Sequence, residues 1–565
     1  MKRRDFLYST GISFPLLISA SGSLFAAGAR ELKADVVILG GGLGGCAAAL
    51  GALRNGFRVI LTEETDWIGG QITIQGVPPD ENPWIEIGGG TALYSEYRKR
   101  VREYYLSNYP VVPDVDRERF NPGGCGVSRI CHEPKVALAV LEEMLAPYQS
   151  NKQLLLLTNH RAVQAEVEKD RVLSVTVQNS MTGDQVVLQA PYFLDATETG
   201  DLLPMTKTEF VTGAESKEDT GELHAAERAN PNNMQAVTWC FAMDYIEGGD
   251  FTIDRPANYD FWREYVPELT PAWPGKLLSW TYSHPPTLEP RTMYCDPVLE
   301  AKGEYRGFWL YRRMIAQKLY QEGFYQGDIC LVNWPQNDYM LGNPFGGTEE
   351  ENRKHEQAAR ELSLCLFYWM QTEAPRMDGK QGWKGLRLRG DVLGTSDGLA
   401  KRPYIRESRR IVPEFRVLEQ HVGQQMRMEE TGLEAKEVQA TPFSDSVGIG
   451  YYRIDLHPST GGDNYIDFAS LPFQIPLGAL IPQRMENLLP ANKNIGTTHI
   501  TNGCYRLHPV EWNIGESAGA LAAYCLKNQE TPRGVRNQEQ KLEAFQKWIQ
   551  DQGIIIAWEK EILQR

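Results

Sequence analysis

The stretch 35-DVVILGGGLGGCAAALGALRNGFRVILTEETDWIGGQ-71 decides the fold of this chain. Asp35–Leu39 is a short apolar run rich in β-branched residues, the pattern of a parallel strand covered on both faces. Gly40, Gly42 and Gly45, with Gly44 between, spell G-x-G-x-x-G. Gly40 permits a tight turn, Gly42 lets a pyrophosphate approach bare backbone, and Gly45 lets the following helix pack closely on the strand. The N–H groups and positive dipole end of that helix then face the phosphates. Arg58–Thr62 reads as the second strand, and Glu63 stands at its end, 18 residues past Gly45, where a carboxylate accepts ribose hydroxyls. A lone glycine motif is weak evidence, but strand, helix, second strand and acid together predict dinucleotide binding. An acid at this place disfavours a 2′-phosphate, so FAD or NAD is expected over NADP.

The segment Trp67-Ile68-Gly69-Gly70-Gln71 resembles the x-x-G-G stretch that follows the second strand in FAD-dependent oxidoreductases of the glutathione-reductase-like FAD-binding superfamily. The resemblance implies FAD, with Gly69, Gly70 and Gln71 running past its phosphates toward the flavin. Phe193–Asp201, FLDATETGD, is similar to the returning strand and Ala-Thr-Gly turn of the same superfamily, but with Glu198-Thr199 inserted before Gly200. Near the end of the chain, NLLPANKNIGTTHITNGCYRLHPVEWNIGESAGALAAYCL resembles the closing motif: a strand, a loop past the flavin, and a small-residue helix. Its helix is expected over Gly515–Ala523, with Gly515 and Ser517 at the cofactor and a positive end stabilising charge on the reduced ring. Asn492–Gly496 stands where the commonest pattern has Gly-Asp. With the HEPKVA-like and YIRESRR-like segments, the resemblance covers most of the chain.

The fold class expected is α/β: a discontinuous Rossmann-like FAD-binding domain over residues 30–212 and 443–529, an inserted α+β substrate or cap domain over 213–442, and a C-terminal helical extension over 530–565. A chain of 565 residues is too long for one core. Helices are expected within Ile85–Tyr105 and over Glu133–Ala146, the latter with Pro134 in its first turn. An antiparallel meander is expected from Leu154–Leu157, Ala162–Val167, Val172–Gln178, Val186–Leu188 and Tyr192–Ala196, and short strands over Phe473–Pro482 and Asn487–Ala491. Eight tryptophans lie between Trp239 and Trp383. They could form stacking platforms, but large aromatics more often fill a core, and core is expected. In Pro403–Arg410 several cations stand beside an aromatic, which suits either the grip of a substrate carboxylate or a salt-bridged helix start.

Lys2-Arg3-Arg4-Asp5-Phe6-Leu7, followed by an apolar stretch to Ala27, resembles a twin-arginine signal peptide over residues 1–29, with small-residue cleavage sites after Ala26 or Ala29. The stretch is broken by Pro15 and several serines, so no integral membrane span is expected. An exported, periplasmic location follows, and twin-arginine export carries folded, cofactor-loaded proteins. The net charge is −15, and residues 1–29 carry a net +2, so the rest is more acidic still. That excludes nucleic acid as an expected partner. Nine cysteines include no C-x-x-C pair. Cys125 and Cys131 are close enough in sequence for a disulfide, but a protein folded before export is expected to keep free, mostly buried thiols.

Just before the closing helix, His499, Cys504, Arg506 and His508 cluster. A histidine near a flavin can take a substrate proton while hydride leaves, and an arginine can anchor an anionic substrate. His508 is expected as base, Arg506 as anchor and His499 as the second choice of base. The spacing fits no standard metal site, so no metal is expected. There is no Walker P-loop, H-E-x-x-H or G-x-S-x-G. The reading is an exported FAD-dependent oxidoreductase, a dehydrogenase or oxidase that takes hydride from a small organic substrate and passes electrons to oxygen, a quinone or a redox protein. The alternatives are a flavin monooxygenase, for which a second nucleotide fingerprint is missing, and a non-catalytic or electron-relay subunit whose Trp-rich middle binds a partner or polysaccharide.

Overall fold

The computed structural model describes residues 30–563. The signal-peptide reading of residues 1–29 therefore lies outside the described residues. The chain is mixed α/β. It opens with β1 (Arg30–Lys33), β2 (Val36–Leu39), α1 (Leu43–Leu53) and β3 (Val59–Thr62). Then follow α2 (Ala92–Asn108), α3 (Pro134–Ser150), β4 (Leu154–Leu157), β5 (His160–Glu168), β6 (Arg171–Asn179), β7 (Gln185–Gln189) and β8 (Tyr192–Asp195).

A five-stranded parallel sheet runs in the order Leu488–Pro490, β8, β2, β3, β4. Every residue of β2, β3 and β8 is buried, which is why these strands read as unbroken apolar runs. The meander differs from expectation in its members. Leu154–Leu157 is an edge strand of the parallel sheet and Tyr192–Asp195 one of its inner strands, and the other sheet, of four strands, is β1-β7-β6-β5, with β1 parallel to β7. A run of four leucines carries no alternation, so pattern alone could not assign its sheet.

α2 starts at Ala92, directly after the glycine turn as expected: Gly88 holds φ +122°, and Thr91 caps the helix by accepting the Tyr94 N–H at 3.2 Å. The expected strand over Phe473–Pro482 ends at Pro476 and turns into a 3-10 helix, Leu477–Leu480.

Between these ends, the strands Arg313–Ile315, Ile329–Val332, Phe241–Tyr245 and Leu386–Leu388 form a second four-stranded sheet. The long helix Glu349–Thr372 belongs to this central region. All eight tryptophans of this region are buried, as core residues, not platforms. Tyr404–Arg410 starts no helix: it is extended and heavily salt-bridged, ending in the short strand Arg410–Ile411. Cys125 and Cys131 are joined in a disulfide, contrary to the free thiols expected, and the other seven cysteines are free and buried. Asn121 explains the pairing. Its side chain accepts the Gly124 and Cys131 N–H groups and donates to Ser128 O, curling the loop until the two Cα atoms stand 6.1 Å apart. Among the described residues no helix is long and apolar enough to cross a membrane.

The helix His508–Asn528 packs along α1 with backbone touching backbone. A Cβ on Gly515 would strike the Gly44 carbonyl, and one on Gly519 the Ala48 carbonyl. Neither neighbour is a flexible side chain that could move aside. Gly519→Val is therefore expected to destabilise the protein by at least about 1–3 kcal/mol, read as a lower midpoint in thermal unfolding; an unchanged midpoint would mean the two helices do not meet by backbone.

Candidate functional site

The turn after β2 is built by backbone contact. Gly40 holds φ +96°, and a side chain there would strike the Ala196 carbonyl at the end of β8; one on Gly45 would strike Gly40 O, and one on Gly44 would strike Ala491 O. Gly42 differs, because its missing side chain faces a groove. A Cβ there would lie 2.9 Å from Glu198 Oε1 and 3.4 Å from Asn492 Nδ2. Gly42 is the N-cap of α1, and no side chain caps that end. The cavity over it is about 550 Å³ and reaches from Gly42 past Glu63 and Glu198 to Arg402.

Glu63 Oε2 accepts the Gly41 N–H at 3.0 Å and Oε1 the Thr65 N–H at 2.9 Å. Burial, reinforced by Glu64, pushes its carboxyl up to about 8. Gly69, at φ +107°, donates its N–H to Gly41 O at 2.7 Å, so the Gly-Gly segment lies against the glycine turn. A Cβ on Gly70 would meet the Gly42 Cα and Glu198 Oε1. Glu198 Oε1 is itself buried without a hydrogen-bond partner, while Oε2 pairs with Lys493 Nζ at 2.5 Å. Lys493 also stands 3.6 Å from Glu511, whose Oε1 accepts the Gly44 N–H at 2.9 Å. Burial would depress the Lys493 ammonium, but Glu198 and Glu511 outweigh it and hold its pKa raised. Gln71 bridges onward: its side chain bonds Glu511, reaches Arg506 O at 3.3 Å, and accepts from the Tyr404 hydroxyl at 3.4 Å.

A second cavity, of about 390 Å³, lies behind the segment Arg402–Arg406. Arg402, Pro403 and Ile405 line the first cavity, while Tyr404 and Arg406 line the second. Alternating residues of one extended segment thus form the partition. In the second cavity His457 Nδ1 bonds Asp338 Oδ2 at 2.6 Å, and Nε2 stands 3.8 Å from Asp455 Oδ2. A histidine oriented at Nδ1 by a carboxylate keeps Nε2 for proton transfer. Burial, then Arg406, depress the His457 pKa below 6.5, against the opposing pull of Asp338. Three buried arginines line the same space, with Arg291 and Arg453 less buried beside them. Arg312 pairs with both oxygens of Asp80 at 3.0 and 3.2 Å, Arg406 with Asp338 at 3.1 Å, and Arg506 with Asp455 at 3.2 Å.

The expected catalytic residues separate. Arg506 lines the second cavity, bonded to the Tyr404 hydroxyl at 3.2 Å. His508 does not. Its Nδ1 accepts the Asp80 N–H at 3.0 Å, and Nε2 lies 3.2 Å from Val77 O. Burial drives its pKa down to about 3. With both ring nitrogens committed to backbone, His508 is no base; it fixes the loop that carries Asp80. His499 lies elsewhere, in a small cavity of about 60 Å³, with Nδ1 2.9–3.0 Å from both oxygens of Glu407. Burial opposes its charge, but Glu407 outweighs burial and raises its pKa.

The closing helix begins at His508, not Gly515. Gly515 therefore sits two turns inside, as a packing residue against Gly44, and Ser517 donates to Val447 O at 2.8 Å; neither is at the helix's positive end. Cys504 Sγ lies 3.4 Å from Thr501 O, and among the described residues no group of three His, Cys, Asp or Glu side chains is arranged to hold a metal ion. Sequence reasoning missed His457, Asp338, Arg312 and Asp80. The run YRIDLHP held a histidine two residues past an aspartate, but nothing local marked its partner.

A parallel sheet, a glycine turn at an uncapped helix end and an acid closing the second strand define a dinucleotide-binding enzyme. The chain belongs to the FAD dependent oxidoreductase family, whose profile matches residues 35–548. Its cofactor is FAD. No curated relative matches the chain. Solved structures that it resembles include the E. coli quinol fumarate reductase FrdA, at 11% identity and TM-score 0.31 over 93% of this chain and 74% of that one. The L-proline dehydrogenase from P. horikoshii is similar at 16% identity and TM-score 0.17, over 34% of this chain and 25% of that one. The myxobacterial chondrochloren halogenase CndH is similar at 16% identity and TM-score 0.21, over 39% and 44%. The chain thus spans less than half the length of these last two.

The first cavity fits FAD on observations of its own: a cradle that a Cβ at Gly42 would fill and an uncapped helix end. Gly42→Val is expected to give folded protein with almost no FAD, measured as released flavin per chain beside an unchanged circular dichroism spectrum; full flavin content would refute the cradle.

Proposed function

We propose that this flavoenzyme is a dehydrogenase or oxidase of a small polar organic substrate held in the cavity lined by His457, Arg312 and Arg506. The observation that carries the reading is the His457–Asp338 pair in a cavity separated from the nucleotide groove by a single extended segment. Gly42 and the first turn of α1 would hold the FAD pyrophosphate, Glu63 the ribose, and Lys493 would offset the charge of Glu198 and Glu511 beside it. Bound FAD supplies a two-electron acceptor for hydride from a carbon–hydrogen bond.

The chain's own residues do the rest. Asp338 holds the Nδ1–H of His457, and Nε2 takes the proton of the substrate hydroxyl or amine. Arg506 and Arg312 orient the substrate while Asp455 and Asp80 hold their guanidinium groups in place. Tyr404, on the partition, joins the substrate cavity to Gln71 on the cofactor side.

Export by the twin-arginine route is part of the same reading, supported by Arg3 and Arg4 and by the Cys125–Cys131 pair, which suits an oxidising compartment. Changing Arg3 and Arg4 to lysine is expected to leave the protein in the cytoplasmic fraction, and continued export would sink that part alone.

His457→Asn should keep its FAD and slow anaerobic flavin bleaching by an accepted donor about 10²-fold or more. A base works unprotonated, and the His457 pKa is depressed below 6.5, so the wild-type rate should be level at neutral pH and fall only on the acid side of 6.5. The variant should lack that acid limb; an unchanged profile would return His457 to a structural role.

A further inference from the structure

The first cavity is walled in part by the middle of the chain. Pro344, Phe345, Glu349, Asn352, Arg353 and Glu356 line it together with Gly42, Glu63 and Glu198. They belong to the loop before the helix Glu349–Thr372 and to the first turns of that helix. Two arginines tie this wall to the nucleotide half. Arg409 donates to Phe345 O at 2.7 Å and to Thr199 O at 2.8 Å. Arg402 pairs with both oxygens of Glu64, at 2.8 and 2.6 Å, and stands 3.6 Å from Glu356. Phe345 is thereby fastened to the turn that carries Glu198, beside Gly42, and Glu356 to the residue that follows Glu63. Arg353 stands in the chain between these two ties and lines the same cavity.

Charge decides what this wall can do. A bound dinucleotide brings a doubly negative diphosphate, yet the lining is rich in carboxylates: Glu63, Glu64, Glu198, Asp201, Glu349 and Glu356. The partial charge of one helix end offsets little of this. Several of the acids already use up a cation each: Glu64 is paired with Arg402, Glu198 with Lys493 and Asp201 with Arg409. Two cations of the lining remain. Arg161, near the start of β5, and Arg353 are both exposed and have no ion pair among the described residues. On an open surface an unpaired arginine is ordinary, because water solvates it. These two instead present accessible N–H donors to a single cavity that must take up a doubly charged anion, and a guanidinium meets phosphate oxygens as a bidentate fork.

On the reading that FAD fills the first cavity, the structure assigns to Arg353, with Arg161 as its counterpart in the nucleotide half, the neutralisation of the FAD diphosphate. The cofactor site is thus shared. The glycine turn shapes it, and the middle of the chain covers it and supplies charge. FAD then also fastens the two parts of the chain to one another, because it touches both.

The FAD-loaded full chain tests this through cofactor release, with no substrate needed. FAD kept per chain is measured after timed desalting at low ionic strength and again at about 1 M salt, where charges are screened within about 3 Å. Arg353→Gln is expected to shed FAD about 10-fold faster than the wild type at low ionic strength, with an unchanged circular dichroism spectrum and with the gap closing at high salt. Arg353→Lys, which keeps the charge, should stay within about 3-fold of the wild type. Lys354→Gln, which removes an exposed charge from the next residue, outside the lining, should match the wild type. Release from Arg353→Gln at the wild-type rate, or a faster release that salt does not alter, would overturn the assignment. Gly42→Ala separates this result from the wider reading. If Gly42→Ala sheds FAD while Arg353→Gln holds it, the cavity stands and the role of Arg353 falls; if neither alters release, FAD lies elsewhere and both fall.

Discussion

Two helices from opposite ends of the chain touch backbone to backbone, and every functional feature of the molecule depends on that contact. Gly44 meets Gly515, Ala48 meets Gly519, and Gly51 meets Glu516 and Ala520, so no side chain keeps α1 and His508–Asn528 apart. Such contact is sterically unforgiving, since backbone cannot rotate out of the way as a leucine tip can. It fixes where the last quarter of the chain lies relative to the first. The strand Leu488–Pro490 can then add beside β8, and Ala491 passes over Gly44. Lys493, Arg506, His508 and Glu511 all ride on this returning segment. Their placement against residues 40–80 is a consequence of small-residue packing, not of attraction between the groups themselves.

That distinction matters for the buried charges. Lys493 with Glu198 and Glu511, and Arg406 with Asp338, lie in places where an isolated ion would lose its charge. Removing either partner leaves the other buried and unpaired, which costs far more than the pair contributes to stability. The pairs therefore act chiefly on specificity. They permit one arrangement of the two cavity walls and oppose others.

The cofactor half of this architecture was legible in sequence because it is built from local pattern. The apolar run of β2, the glycines at fixed offsets and Glu63 follow one another within 35–63, and each states its own conformation. The returning strand Tyr192–Asp195 was legible for the same reason. The second cavity was not. His457 reaches Asp338 across 119 residues, and Arg312 reaches Asp80 across 232. No spacing rule links residues so far apart, and a lone histidine or arginine carries no sign of its partner. Proximity in sequence misled in the other direction. His499, Arg506 and His508 lie within ten residues, yet helix geometry sends them to a side cavity, the second cavity and the core. Gly515 and Ser517 were misplaced because the helix has a longer N-terminal part, opened by Pro509 in its first turn, than small residues alone revealed.

The position of His508 is instructive for how such a site is held. It is fully buried, and its two ring nitrogens hold the backbone at Val77 and Asp80. Asp80 in turn holds Arg312 through both carboxylate oxygens. An imidazole can serve this role because it is a donor and an acceptor at once, at fixed geometry, and burial keeps it neutral and so preserves both functions. A lysine or arginine could only donate, and a carboxylate could only accept. The histidine that looked catalytic is thus a positioning residue for an arginine that lines the second cavity, while His457, which lines that cavity itself, lies on a different strand connection, held by Asp338 from the middle of the chain.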